Sequence, residues 1–162
     1  MSAALSVQER YAASSICFGC GPANVDGLRI KSFEEDGGEL VCRFTPAPFH
    51  HAFPGMLNGG IIGTLLDCHS NWAATMFLMR AGGLTAPPCS VTADFHVKLK
   101  RPTPMGPVLI RARVSESEGK KAIVEATLTA LDPTTGEPGK ITATCTGTFV
   151  AVDEGHPAYH RW

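Results

Sequence analysis

Between Gly60 and about Arg80 the chain carries no proline, and Ile61, Ile62, Leu65, Leu66, Trp72, Ala73, Ala74, Met76, Phe77 and Leu78 cover nearly the whole circumference of a helix. A helix that is apolar almost all round is a buried one. At the standard rise, its roughly 20 residues make a rod about 30 Å long, enough to thread the middle of a domain. Gly82-Gly83 ends it, and Pro87-Pro88 opens the next segment.

Elsewhere the period is two. Leu28 to Phe33 alternates apolar with charged residues, Glu34 to Gly38 is a turn with a solvated acidic run, and Glu39 to Phe44 reads as the returning strand of a hairpin. Pro46 to Leu57, rich in Pro, Phe and His, does not suit regular structure throughout. After the helix, Ser90 to Leu99 alternates with Val91, Ala93, Phe95, Val97 and Leu99 on one side and Thr92, Asp94, His96 and Lys98 on the other. Val108–Ser115, Lys121–Leu131 and Lys140–Val152 follow, separated by Glu118-Gly119 and by Asp132 to Gly136. Turns this short join antiparallel neighbours and rule out parallel crossovers. The expectation is an α+β domain, an antiparallel sheet curled around one long central helix. Its boundaries are an N-terminal arm or short helix over residues 1–15, the domain over 16–152 and a C-terminal tail over 153–162.

Composition narrows the picture. The 162 residues suit one domain, and 44% hydrophobic against 18% charged residues provide a core. With 14 basic and 15 acidic side chains the formal charge is −1, which gives no general electrostatic reason to bind nucleic acid or an anionic membrane. The first residues carry neither a basic n-region nor an apolar h-region, and a cytoplasmic location is expected. The same context leaves the cysteines reduced; Cys42, Cys68, Cys89 and Cys145 sit in apolar stretches and read as small hydrophobes. Only Cys17 and Cys20 form a recognisable spacing. With His156 and His160 in the tail they would complete a Cys2His2 zinc set, although nothing in the spacing brings the two halves together.

Asp67 is the residue that needs a reason. It lies two turns into the buried helix between Leu66 and Cys68, and an ionised carboxylate there is costly unless it is paired or working. Gly63, Ser70 and Asn71 share its helical face, small and polar, and suit a ligand. Asn58 stands where an N-cap belongs, and Gly59-Gly60 leave the first-turn N–H groups open to a developing negative charge. Lys98, Lys100 and Arg101 cluster at a strand end.

The stretch Asn58-Gly-Gly-Ile-Ile-Gly-Thr-Leu-Leu-Asp67 resembles the His-Gly-Gly, six residues, Asp signature of hotdog-fold thioesterases of the phenylacetate-degradation (PaaI-like) type. Cys17-Phe-Gly-Cys-Gly with Asn24 and Gly27-Leu28, Ser90 to Pro102, and Gly147-Thr-Phe-Val150 extend the likeness over roughly 16–152. The resemblance implies a single hotdog domain and an acyl-coenzyme A thioester as substrate, hydrolysed without a separate cofactor. It implies a homodimer or a dimer of dimers, in which one subunit supplies the carboxylate and the facing one the glycine N–H groups. Asp67 then takes the place of the family's general base or nucleophile, Gly60 and Gly59 polarise the carbonyl, Thr92 matches a hydroxyl that positions water or substrate, and Arg101 with its lysine neighbours faces the coenzyme phosphates.

Two departures stand out. Asn58 replaces the usual catalytic histidine; it can still hydrogen-bond a carbonyl or cap the helix, but it cannot titrate near neutral pH. Ala52 occupies the position where some members have Asn or Gln, leaving His51 as the nearby substitute. Two rival readings follow, an acyl-CoA-binding module without turnover and an enoyl-CoA hydratase or dehydratase. The second wants a His-Phe-Pro-Gly stretch, and His51-Ala-Phe-Pro-Gly55 is one residue out of step with it.

Overall fold

A computed structural model describes residues 4–160. The ends of the expected arm and tail, residues 1–3 and 161–162, lie outside the described residues. The elements run α1 (Val7–Tyr11), β1 (Ser32–Glu34), β2 (Leu40–Phe44), a short ribbon of β3 (His51–Phe53) and β4 (Met56–Leu57), α2 (Gly59–Ala81), β5 (Ser90–Leu99), β6 (Val108–Glu118), β7 (Lys121–Leu131) and β8 (Pro138–Ala151). The six main strands form one antiparallel sheet in the order β1-β2-β6-β7-β8-β5. Helix α2 lies against this sheet, as its all-round apolar pattern requires, and packs on β2, β5, β6, β7 and β8. Leu65, Leu66 and Met76 of the helix meet a core with Leu40, Ile110, Val124, Leu128 and Phe149, all essentially fully buried. This is the architecture expected of the hotdog domain.

Three expectations need correction. The strand expected over Leu28–Phe33 joins the ladder only at Ser32. Its side chains still alternate, with Leu28 and Ile30 buried, but the Leu28 and Ile30 N–H groups donate to the carbonyls of Phe18 and Gly19 at 2.7 and 3.1 Å. Those backbone groups are spent on the preceding cysteine turn. The acidic run Glu34 to Glu39 is ion-paired as well as solvated: Glu34 meets Arg10 and Arg80, and Glu35 and Glu39 meet Arg111.

The third correction is in β5. Thr92 pairs with Phe149 and Asp94 with Thr148, so a β-bulge at Ala93 adds one residue on that side. The extra residue reverses the facing of everything before it. Thr92 therefore shares the helix-facing side with Phe95, Val97 and Leu99, instead of lying opposite to them. The N-terminal segment is also docked and not loose. Val7 is fully buried, and Ser6 caps α1 in a reciprocal box with Glu9.

Candidate active site

The bulge has a chemical consequence. It aims the Thr92 hydroxyl at α2, where it donates to Asp67 Oδ1 at 2.8 Å. Asp67 is half-buried and has no ion-pair partner among the described residues. Burial pushes its carboxyl above the usual range; the Thr92 hydrogen bond opposes the shift and the nearby Cys17 sulfur adds to it. A carboxylate that no cation neutralises, held at one oxygen by a hydroxyl, keeps its other oxygen for a proton. That suits a general base.

The helix start holds the second part. Asn58 Oδ1 accepts from the Gly60 N–H at 2.7 Å and the Ile61 N–H at 3.3 Å, and the Asn58 carbonyl accepts from Ile62. Asparagine at this position is thus a working N-cap. It takes the very N–H of Gly60 that the sequence offers to a carbonyl, and leaves the Gly59 N–H as the first-turn donor that the cap does not use. A Cβ on Gly59 would stand 3.2 Å from Leu99 Cδ1, so glycine keeps this approach open.

A groove of about 430 Å³ opens at that end of the helix. Phe53, Met56, Leu57, Ile62 and Leu99 give it apolar walls, Gly59 lies on its lining, and Lys100 and Arg101 stand at it with exposed side chains. Phe53 is therefore a wall of the groove and Phe49 is mostly exposed, whereas Trp72 is buried in the core.

The other singled-out residues are scattered by comparison. His51 is exposed in the β3–β4 ribbon, and its Nδ1 lies 2.7 Å from the Pro48 carbonyl. Asn71 accepts a hydrogen bond from Ser90 and is half-buried. Ser70 is fully buried, and its Oγ has no partner among the described residues.

The cysteines depart furthest from expectation. Cys42, Cys89 and Cys145 are buried small hydrophobes. Cys68 is not one of them: its sulfur joins those of Cys17 and Cys20, all within 4.8 Å of one another. The tail histidines stay away from this cluster among the described residues, and the His160 N–H instead donates to Cys89 Sγ at 3.1 Å. The Cys2His2 set is thus replaced by three sulfurs. The neighbouring sulfurs of Cys20 and Cys68 hold the Cys17 thiol well below its usual range, while the contact with Cys17 drives the other two up. No spacing could have revealed Cys68, which is separated from Cys17 by 51 positions along the chain.

The thioesterase superfamily profile matches residues 54–137, just over half of the chain. The chain belongs to the thioesterase superfamily. A thioesterase superfamily protein from Shewanella loihica is 30% identical, with 76% of this chain and 91% of that one covered at a TM-score of 0.61. PaaI of Escherichia coli, from the phenylacetic acid degradation operon, is 16% identical over 78% of this chain and 81% of its own, at a TM-score of 0.62, which is a likeness of fold alone. Among curated relatives, acyl-coenzyme A thioesterase THEM4 of Bos taurus is 26% identical over 119 residues, 73% of this superfamily member but only 43% of the bovine protein. The chain spans less than half the length of that relative. No helix among the described residues is long and apolar enough to cross a membrane.

Proposed function

We propose that this chain hydrolyses acyl-coenzyme A thioesters, with Asp67 as the general base, in a site assembled from two copies. The observation that carries the reading is the Thr92–Asp67 pair, a half-buried carboxylate held by a hydroxyl and, among the described residues, by no cation. In this scheme a water gives its proton to the free Asp67 oxygen as its own oxygen attacks the thioester carbonyl. The Gly59 N–H and the helix dipole take the charge that forms on the carbonyl oxygen. The C–S bond then breaks, and the thiolate leaves with the proton that Asp67 returns.

One copy cannot supply both halves. Eight residues of helix separate Gly59 from Asp67, about 12 Å at 1.5 Å per residue. A carbonyl accepting a hydrogen bond at one end is out of reach of a water held at the other. Strand β5 supplies the means of pairing. It is an edge of the sheet, ten residues long, and Phe95 and Leu99 stay 41% and 56% exposed on its helix-facing side. An edge of that length and character is a template for a second chain, and pairing with its own copy is self-complementary. The apolar groove suits the acyl chain, with Lys100 and Arg101 placed for the coenzyme phosphates. The acyl-coenzyme A thioesterase name of the bovine relative supports the substrate class.

The test is release of free thiol from a panel of short, medium, long and aryl acyl-CoAs. The expectation is turnover that Asp67→Asn abolishes in a folded protein. Binding of acyl-CoAs with no thiol release would instead identify a binding module, and full activity in Asp67→Asn would overturn the assignment of the base.

A further inference from the structure

Three sulfurs converge beside α2, and the hydrolytic scheme uses none of them. The turn that brings them together is built at the expense of side chains. Gly21 N–H closes it onto the Cys17 carbonyl at 2.9 Å. A Cβ on Gly21 would lie 2.4 Å from the Ser15 carbonyl oxygen and 2.5 Å from the Cys17 nitrogen, and one on Gly19 would lie 2.3 Å from Cys68 Sγ. Cys-Phe-Gly-Cys-Gly is thus the sequence that lets this turn press flat on the helix, and the group it meets there is a third sulfur.

The geometry suits one ion. Cys17 Sγ and Cys68 Sγ are 3.8 Å apart, and all three sulfurs lie within 4.8 Å of one another. Thiolates bound to zinc at about 2.3 Å in tetrahedral directions stand about 3.8 Å from each other. Outer partners are also in place. The backbone N–H groups of Gly19 and Cys20 favour the ionised form of Cys17, and the Trp72 indole favours that of Cys20. Donors aimed at sulfur are what orient and stabilise thiolate ligands. Cys17 is exposed, which gives an ion a way in, while Cys20 is buried and Cys68 half-buried.

We propose that Cys17, Cys20 and Cys68 form a three-thiolate site for a single zinc ion, with water in the fourth position. An all-sulfur donor set selects soft or borderline ions over calcium or magnesium. Each bound thiol gives its proton to solvent as the ion arrives. The ion ties the segment carrying Cys17 and Cys20 to the helix at the residue next to Asp67, and so acts as a clamp on the N-terminal segment. This site stands apart from the hydrolytic reading and does not depend on it.

The experiment is titration of the reduced, chelator-stripped full chain with cobalt(II), followed by displacement with zinc. One equivalent should bind with sulfur-to-cobalt charge-transfer absorption, protect three thiols from a thiol reagent and raise the thermal midpoint. Cys17→Ser, at an exposed position, and Cys68→Ser should each weaken binding by more than about 100-fold, beyond the cost of losing an outer partner alone. Cys89→Ser, outside the cluster, should leave affinity unchanged. The proposal is overturned if wild type binds no better than Cys17→Ser, or if protein prepared without reductant carries a disulfide within the trio and no zinc.

Discussion

The hydroxyl of Ser32 lies 2.7 Å from Nδ1 of His69, deep between the first strand and the central helix. The other ring nitrogen, Nε2, lies 2.9 Å from the Leu40 carbonyl, which can only accept. Nε2 therefore carries the proton, Nδ1 accepts from Ser32, and Ser32 in turn accepts from Gln8 Nε2 at 2.9 Å. The Ser32 N–H returns to Gln8 Oε1 at 2.8 Å. Four elements are thus tied through one neutral imidazole with no polar atom left over.

A first prediction follows from that neutrality. Burial lowers the His69 pKa from 6.5 to about 4, although the Leu40 carbonyl favours the proton. Between these values the unfolded chain binds a proton that the folded chain refuses. Stability therefore rises with pH through this window; its full value is present above 6.5 and is lost as pH falls towards 4. The shift corresponds to about 3 kcal/mol. Urea unfolding at several pH values should show this loss in wild type and a smaller one in His69→Gln. Equal slopes in both would mean that His69 is not the group responsible.

The two ends of α2 differ in how far the chain announces them. The helix, the four strands after it and the N-cap at Asn58 were legible because each rests on a local pattern: period, proline, glycine or a capping side chain. Asp67 was legible because a lone carboxylate in an apolar run is anomalous by itself. The alternation alone puts Thr92 on the wrong face, since a bulge costs one residue and leaves no mark on an alternating string. The Gln8–Ser32–His69 network and the third sulfur at Cys68 depend on contacts across 24 to 51 positions. A histidine or cysteine in an apolar helix reads as filler until its partner is placed against it.

The Thr92–Asp67 hydrogen bond yields a second prediction. Asp67→Asn keeps the size of the side chain and an oxygen for Thr92 but cannot take a proton from water. Thiol release should fall by at least about 100-fold, within the range that general bases contribute. Thr92→Val leaves the base and loosens its orientation, so kcat should drop by about tenfold with KM little changed. A Thr92→Val enzyme with altered KM and intact kcat would place Thr92 on the substrate instead.

Gly59 separates approach from folding. Alanine there puts a methyl 3.2 Å from Leu99 Cδ1, the end of a side chain that can yield by a few tenths of an ångström. Helix propensity favours the change by at most about 1 kcal/mol. Gly59→Ala should unfold at the same or slightly higher urea concentration while losing at least about tenfold in kcat/KM, because the methyl stands over the N–H that receives the carbonyl. Undiminished kcat/KM would remove Gly59 from the site and return the role to Gly60.

The separation between helix start and carboxylate makes the two-copy site testable by mixing. Asp67→Asn spoils the base of one copy; Gly59→Val, with more bulk against Leu99, spoils the carbonyl site of the other. Each homodimer is inactive. Each heterodimer has one site with both defects and one with neither, because the two halves of a site come from different chains. Co-refolding the variants in equal amounts should restore about one quarter of wild-type activity, since half the dimers are mixed and half their sites intact. Complementation is impossible if each copy works alone. The same dimer must appear in sedimentation at twice 17.2 kDa. Phe95→Glu, which sets a charge on the exposed apolar side of the β5 edge, should shift it towards the single chain and take thiol release down in step. Monomeric wild type with full activity would leave the gap of about 12 Å along the helix unbridged and would require a different base for the carbonyl at Gly59.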